Sequence, residues 1–205
     1  MAASSQVADP EVSRRKFNRE VATFRRLAAT YRNRGWFLAE ATFPEVIVVM
    51  AGRNIKPPAL ITGVRFDYTD YDFRPPSVRL VDPFSGEPYA FKDLPTRLPR
   101  STGLANLRVE GLPAGLELPK IMGQQPLMQA YGDGDVPFLC LAGVREYHDH
   151  PGHSGDAWEL HRGSGAGRLV RLLEVIDKYG TSPIGGYNLQ LEARIIGYTQ
   201  QSVPE

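Results

Sequence analysis

The hydrophobic pattern changes from a helical to a strand period at Gly35, and that change decides the fold class. Before it, Phe17, Val21, Phe24, Ala28 and Tyr31 recur at spacings of four and three, which lines one face of a helix over residues 9–34. Asp9 is a good N-cap, and Pro10 stands at the first helical position, where its missing N–H costs nothing. Gly35 supplies the stop. Beyond it the period is two. Residues 36–42, 45–51, 59–67 and 77–82 read as four successive strands, punctuated by Pro44, the 52–58 stretch and Arg74-Pro75-Pro76. Connections this short favour an antiparallel meander, with the preceding helix covering one face: an α+β layer.

The rest of the chain is less regular. Residues 83–135 hold Pro83, Pro88, Pro95, Pro99, Pro113, Pro119 and Pro126 and read as a long insertion packed on the core. Residues 136–144 form a short buried segment, followed by a polar, Gly- and His-rich stretch to Gly163. A second helix opens at Ser164 or Gly165, buries Leu169, Leu172, Leu173 and Ile176, and stops at Gly180; residues 187–199 read as a late strand. One domain over residues 1–205, with a flexible start at 1–8, accommodates all of this.

Composition narrows the function. Lysine and arginine number 24 against 23 acidic residues, a net charge of +1, so the field that nucleic-acid binding needs is absent. No apolar run approaches the roughly 18 residues of a membrane span, and no secretory signal is visible, so the cytoplasm is the expected address. A single cysteine makes neither an intrachain disulfide nor a multi-cysteine zinc site. The first helix is locally basic. Arg14, Arg15, Lys16, Arg19, Arg25, Arg26, Arg32 and Arg34 face only Glu11 and Glu20, which suits a solvated surface or a docking face for an acidic partner.

The strongest chemical signal surrounds that cysteine. All four histidines, His148, His150, His153 and His161, follow Cys140 closely, with Glu146, Asp149 and Asp156 among them. Three readings fit. Cys140, Glu146, His148 and His153 offer S, O, N and N ligands for a tetrahedral zinc ion, although the spacing matches no standard finger or HExxH pattern. Alternatively Cys140 is a nucleophile whose thiolate is favoured by nearby imidazolium. Or it is a small core residue among Phe138, Leu139 and Leu141, with the histidines on a surface loop.

Motif order adds a resemblance. Tyr71-Asp-Phe-Arg-Pro-Pro-Ser-Val-Arg-Leu80 leads into the fourth strand, Phe138-Leu-Cys-Leu141 carries the cysteine, and Trp158 precedes a helix. This resembles the ubiquitin-conjugating enzyme fold, in which an aromatic–Pro–Pro–x–Val segment, an Ile/Leu–Cys–Leu segment and a tryptophan occur in that order. Phe73, Pro75, Pro76 and Val78 match the first, Cys140 the nucleophile and Trp158 the tryptophan. The Cys140, Glu146, His148, His153 string is also similar to a bacterial family of predicted metal-binding proteins named for a Cys-Glu-His-His signature. That family is associated with operons encoding ubiquitin-like proteins, an activating-enzyme homologue and a JAB-type isopeptidase. The His-Pro-Asn element of conventional conjugating enzymes is missing upstream of Cys140.

The resemblance implies a transferase with no cofactor. Cys140 carries a ubiquitin-like protein as a thioester, received from an activating enzyme, and passes it to an amine on a protein target. In place of the missing asparagine His148, His150 or His153 donates to the acyl oxygen, and Glu146 or Asp149 orients an imidazole or takes a proton from the incoming amine, while Arg14, Arg15 and Arg19 meet the activating enzyme. The alternative is a zinc-binding module on Cys140, Glu146, His148 and His153 without catalysis.

Overall fold

The computed structural model describes residues 7–101 and 124–186. Most of the expected flexible start, the middle of the 83–135 insertion and the late strand at 187–199 lie outside the described residues. Helix α1 (Pro10–Arg26) begins as its sequence demands, with Asp9 Oδ1 accepting the Glu11 N–H at 2.9 Å. The single helix expected to run to residue 34 is instead two. Leu27, at φ −111° and ψ 21°, separates α1 from α2 (Ala28–Asn33). The break re-aims Tyr31, which lies 4.7 Å from the Phe24 ring and stacks on Trp36 at 5.2 Å. Gly35 then turns the chain at φ +81°, where a Cβ would press on the Ala51 carbonyl oxygen at 2.6 Å.

Strands β1 (Trp36–Thr42), β2 (Glu45–Gly52), β3 (Ala59–Asp67) and β4 (Ser77–Val81) form the expected antiparallel meander in the order β1-β2-β3-β4. Register brings Val48 opposite Val64 and Val64 opposite Leu80, and likewise aligns Val46, Phe66 and Val78. Because side chains alternate across a sheet, these residues share one face. All six are buried in a single core with Phe17, Val21 and Phe24 of α1 and with Leu169, Leu172, Leu173 and Ile176 of α5 (Leu169–Ile176).

Helix α5 starts at Leu169, later than expected, because Gly165 sits at φ +73° and residues 164–168 form a loop. Its helical course ends within one residue of the expected Gly180. A wider helical turn, Asp177–Thr181, carries it there, with Thr181 Oγ1 donating to Asp177 Oδ1 at 2.6 Å. The described parts of the insertion also build the core: Leu98, Leu127 and Met128 are buried there. They accompany two small two-stranded antiparallel sheets, β5 (Pro99–Ser101) with β6 (Gln124–Pro126) and β7 (Met128–Gln129) with β8 (Phe138–Leu139). Two short helices, α3 (Arg145–Asp149) and α4 (Trp158–Arg162), occupy the stretch that the sequence left as polar loop. Among the described residues, no helix is long and apolar enough to cross a membrane.

The segment after β8 is fastened to the sheet by Arg145. Its backbone N–H donates to the Pro76 carbonyl at 2.9 Å, and its Nε to the Pro75 carbonyl at 3.2 Å. Nη2 donates to the Thr69 carbonyl at 2.6 Å, and Nη1 faces Asp67 Oδ2 at 3.4 Å. The prolines preceding β4 cannot donate, yet their carbonyls still accept, which makes them suited to this guanidinium. Replacing Arg145 by methionine keeps the stem and removes the donors. Its unfolding free energy in urea should fall by about 2–3 kcal/mol; a fall below about 0.5 kcal/mol would show that the fastening is dispensable.

Candidate functional site

Cys140 follows β8 directly, its N–H held by the Leu127 carbonyl at 2.7 Å and its side chain half-buried. The turn after it packs Gly143 so tightly under Ala166 that a Cβ there would overlap the Ala166 carbonyl. Cys140 thus follows the buried Phe138 and Leu139 as a partly exposed residue, with Leu141 and Ala142 after it also half-buried.

One histidine reaches it. His153 ends the turn Pro151–His153, which His150 caps by accepting the Gly152 N–H on Nδ1 at 3.0 Å. His153 Nε2 lies 3.5 Å from Cys140 Sγ. Its ring lies flat on Tyr147 from α3, 3.9 Å between centroids and 20° from parallel. Stacking therefore orients this imidazole. Tyr147 is fixed in turn by donating its hydroxyl to Asp156 Oδ2 at 2.7 Å. Burial, and then the hydrogen bond to Asp156 and its charge, push the phenol up to about 12, so it stays protonated and keeps donating. The other Asp156 oxygen meets His161 Nε2 at 2.6 Å, and hydrogen bonds from His161 and Tyr147 hold this carboxyl below the usual carboxylate range.

The remaining expected residues stand apart from the sulfur. His148 bridges two backbone carbonyls, Ala142 through Nε2 at 2.6 Å and Asp156 through Nδ1 at 2.8 Å, and so closes the loop that carries Cys140 to the loop after His153. Glu146 is drawn to β4, where it accepts from Ser77 Oγ and pairs with Arg79 Nη2 at 3.1 Å. His150 is flanked by Tyr131 at 5.5 Å and Phe138 at 5.3 Å, and Asp149 pairs with Arg74 at 2.9 Å. The four-ligand set Cys140, Glu146, His148 and His153 does not converge: among the described residues, no three His, Cys, Asp or Glu side chains are grouped to hold a metal ion.

Burial pushes the Cys140 thiol above its ordinary range, only partly opposed by the charge of Arg100. At neutral pH the sulfur is therefore mostly protonated. The adjacent imidazole is the group placed to take that proton when an electrophile arrives. Sequence reasoning missed Arg145, left Tyr147 open between packing and participation, and named Asp156 only as a member of the cluster. Their signal was faint: Tyr147 and Asp156 lie nine positions apart, a distance that only the intervening turn closes.

The aromatic–Pro–Pro segment meets the segment after the cysteine through Arg145, and Pro76 and Trp158 both lie against Gly167. Pro75 and Pro76 are buried, and Trp158 donates its indole N–H to the Asp72 carbonyl at 2.9 Å. Lys16 and Arg162 both pair with Asp72, the latter at 2.9 Å, so Lys16 belongs to a structural network rather than to a free basic face. Arg34 is likewise occupied, paired with Asp177 at 3.2 Å and lying over Trp36. Arg14, Arg15 and Arg19 are exposed, Arg14 lying over Phe43 and Arg19 touching Glu20 at 3.3 Å.

A family model described as "Y4jH-like: Y4jH family" matches residues 8–184, a span that includes every residue of this site. The chain belongs to the Y4jH-like family. Within the family, the "Uncharacterized protein y4jH" of Sinorhizobium fredii is 43% identical over 202 residues, covering 98% of each chain.

The two kinds of histidine are separable by experiment. His148→Ala removes the ring that lies between the Ala142 and Asp156 carbonyls and should lower the unfolding free energy by about 1–3 kcal/mol. His153→Ala loses mainly a stack on Tyr147, about 0.5–1.5 kcal/mol. Urea titration of both variants checks this; an equal or reversed order would contradict the assignment of His148 as the strut.

Proposed function

We propose that Cys140 is an acyl-carrying nucleophile of the ubiquitin-conjugating type, working with His153. The observation that carries this reading is the approach of His153 Nε2 to Cys140 Sγ at 3.5 Å on a half-exposed, rigidly fastened segment. Support also comes from the order of elements: a basic helix, a four-strand antiparallel meander, a Pro–Pro lead into β4, the cysteine, and Trp158.

In the first step Cys140 sulfur attacks the carbonyl carbon of a ubiquitin-like protein's C-terminal thioester, and its proton passes to His153 Nε2. The new S–C bond forms as the bond to the activating enzyme's sulfur breaks, and that sulfur leaves as a thiolate that takes the proton from His153, so Nε2 is free again before the second step. A thiol attacking a thioester makes no demand for a strong base, since donor and acceptor sulfurs are of like affinity. In the second step an amine of the protein target attacks the same carbon. Cys140 departs as thiolate, and the amine's surplus proton returns through His153 to the sulfur or to solvent. Arg14, Arg15 and Arg19 form the exposed cationic stripe on which the activating enzyme would dock. The zinc-module reading gains no comparable support, because the Glu146 carboxylate and both His148 ring nitrogens already hold protein partners.

The test is incubation with ATP, an activating enzyme and a ubiquitin-like protein from a bacterial conjugation operon, read on gels with and without reductant. The expected result is a reductant-sensitive adduct that is absent in Cys140→Ala and becomes a reductant-resistant oxyester in Cys140→Ser. Reversing Arg14, Arg15 and Arg19 to glutamate should slow loading, and more so at low salt, where exposed charges are least screened. Absence of the adduct with wild-type protein, or its persistence in Cys140→Ala, would overturn the reading.

A further inference from the structure

A cavity of about 240 Å³ opens between β4, β8, α3 and the loop that joins β7 to β8. It adjoins the cysteine segment. Phe138 in its wall stands two residues before Cys140, and the ring of its His150 lies 5.4 Å from that of His153. The walls are aromatic: His150 stacks on Tyr131 at 5.5 Å, 11° from parallel, and on Phe138 at 5.3 Å. Tyr131 is 78% exposed, so most of its ring stays open to a ligand. Arg79 also lines the cavity, but both of its terminal nitrogens are engaged. Nη1 donates to the Pro137 carbonyl at 2.8 Å, and Nη2 pairs with Glu146 Oε1 at 3.1 Å.

The carboxylates of the cavity have capacity to spare. Glu146 Oε1 takes Ser77 Oγ and Arg79, whereas Oε2 has only the Val78 N–H at 3.4 Å, longer than an ordinary N–H···O bond. The Glu146 side chain is only 16% exposed, and a carboxylate oxygen so enclosed calls for a donor. Asp149 is the second lining carboxylate; its partner Arg74 does not line the cavity. The β7–β8 loop adds the exposed Asp133 and Asp135 next to Tyr131 and Val136.

We propose that this cavity is a subsite for one cationic side chain, lysine or arginine, of a polypeptide that Cys140 acts on. Its volume suits a side chain, since pockets for whole small molecules start at about 300 Å³. An ammonium or guanidinium lying on the Tyr131 face gains a cation–π attraction and can donate to Glu146 Oε2. A neutral side chain loses both contacts, and an anionic one meets carboxylates instead. The role as a subsite rests on the proposed reading of Cys140, whereas the binding itself requires no chemistry at the sulfur.

The probes are capped tripeptides with glycine on each side of lysine, arginine, acetyl-lysine or glutamate, titrated into the intact chain and followed by amide NMR. The lysine and arginine peptides should shift the amides of Tyr131, Phe138 and His150, with affinity about fivefold or more above that of the acetyl-lysine peptide. The ratio of the first two tells which cation the site prefers. Tyr131→Ala, at an exposed position, should weaken both by about threefold. Glu146→Gln should remove the preference for lysine over acetyl-lysine; should that variant lose its dispersed spectrum, Tyr131→Ala carries the test alone. Cys140→Ala should bind as wild type does, so failure here and failure of thioester formation are distinguishable. Equal affinity for lysine and acetyl-lysine, tighter binding of the glutamate peptide, shifts confined to other surfaces, unchanged binding in Tyr131→Ala, or no shifts at all would overturn the proposal.

Discussion

The guanidinium of Arg145 is the fixed point of this molecule's chemistry. It reaches the carbonyls of Thr69 and Pro75 and the carboxylate of Asp67, while its backbone N–H holds Pro76. These acceptors lie at or between the end of β3 and the start of β4, the one connection of the meander that faces the cysteine segment. A charged donor with several acceptors in a partly buried place is strong and costly to break. Through it the regular sheet, whose geometry follows from alternation alone, dictates where an otherwise irregular loop carries its sulfur.

From that point the site is assembled from short elements. A five-residue helix gives Tyr147, the next turn gives His153, and Asp156 locks the phenol that supports the imidazole. The four histidines thus divide into unlike tasks: a strut between carbonyls, a capped and stacked turn, a neighbour of the thiol, and a partner for Asp156. Only one of them faces the sulfur. Among the described residues no carboxylate meets the far nitrogen of that stacked imidazole, which lies next to a thiol that burial keeps protonated.

Much of the fold was legible. Strands β1 and β3 fall where alternation put them: β3 buries Val64 and Phe66 on the core face, and β1 is anchored by the buried Trp36 with Leu38 and Ala41 half-buried beyond it. The break at Leu27 was not legible, since Ala28 and Tyr31 continue the helical period across it and only the Tyr31–Trp36 stack explains the bend. Helices α3 and α4 are too short to show a period and exist through tertiary contacts. At the site, Cys140 and His153 were chosen for their chemistry and do meet, whereas His148 and Glu146 were chosen for the same reason and are held elsewhere. Residue type announces capability; partners decide its use.

The reactivity of Cys140 in the native protein tests the central claim most directly. The rate of alkylation by iodoacetamide, followed across pH by intact mass, reports both access to the sulfur and its protonation. Burial disfavours the thiolate, so the rate should rise with a midpoint above that of a free cysteine, and modification should go to completion without denaturant. A midpoint below that of a free cysteine, or a thiol that reacts only after unfolding, would contradict a half-buried, protonated nucleophile waiting beside His153.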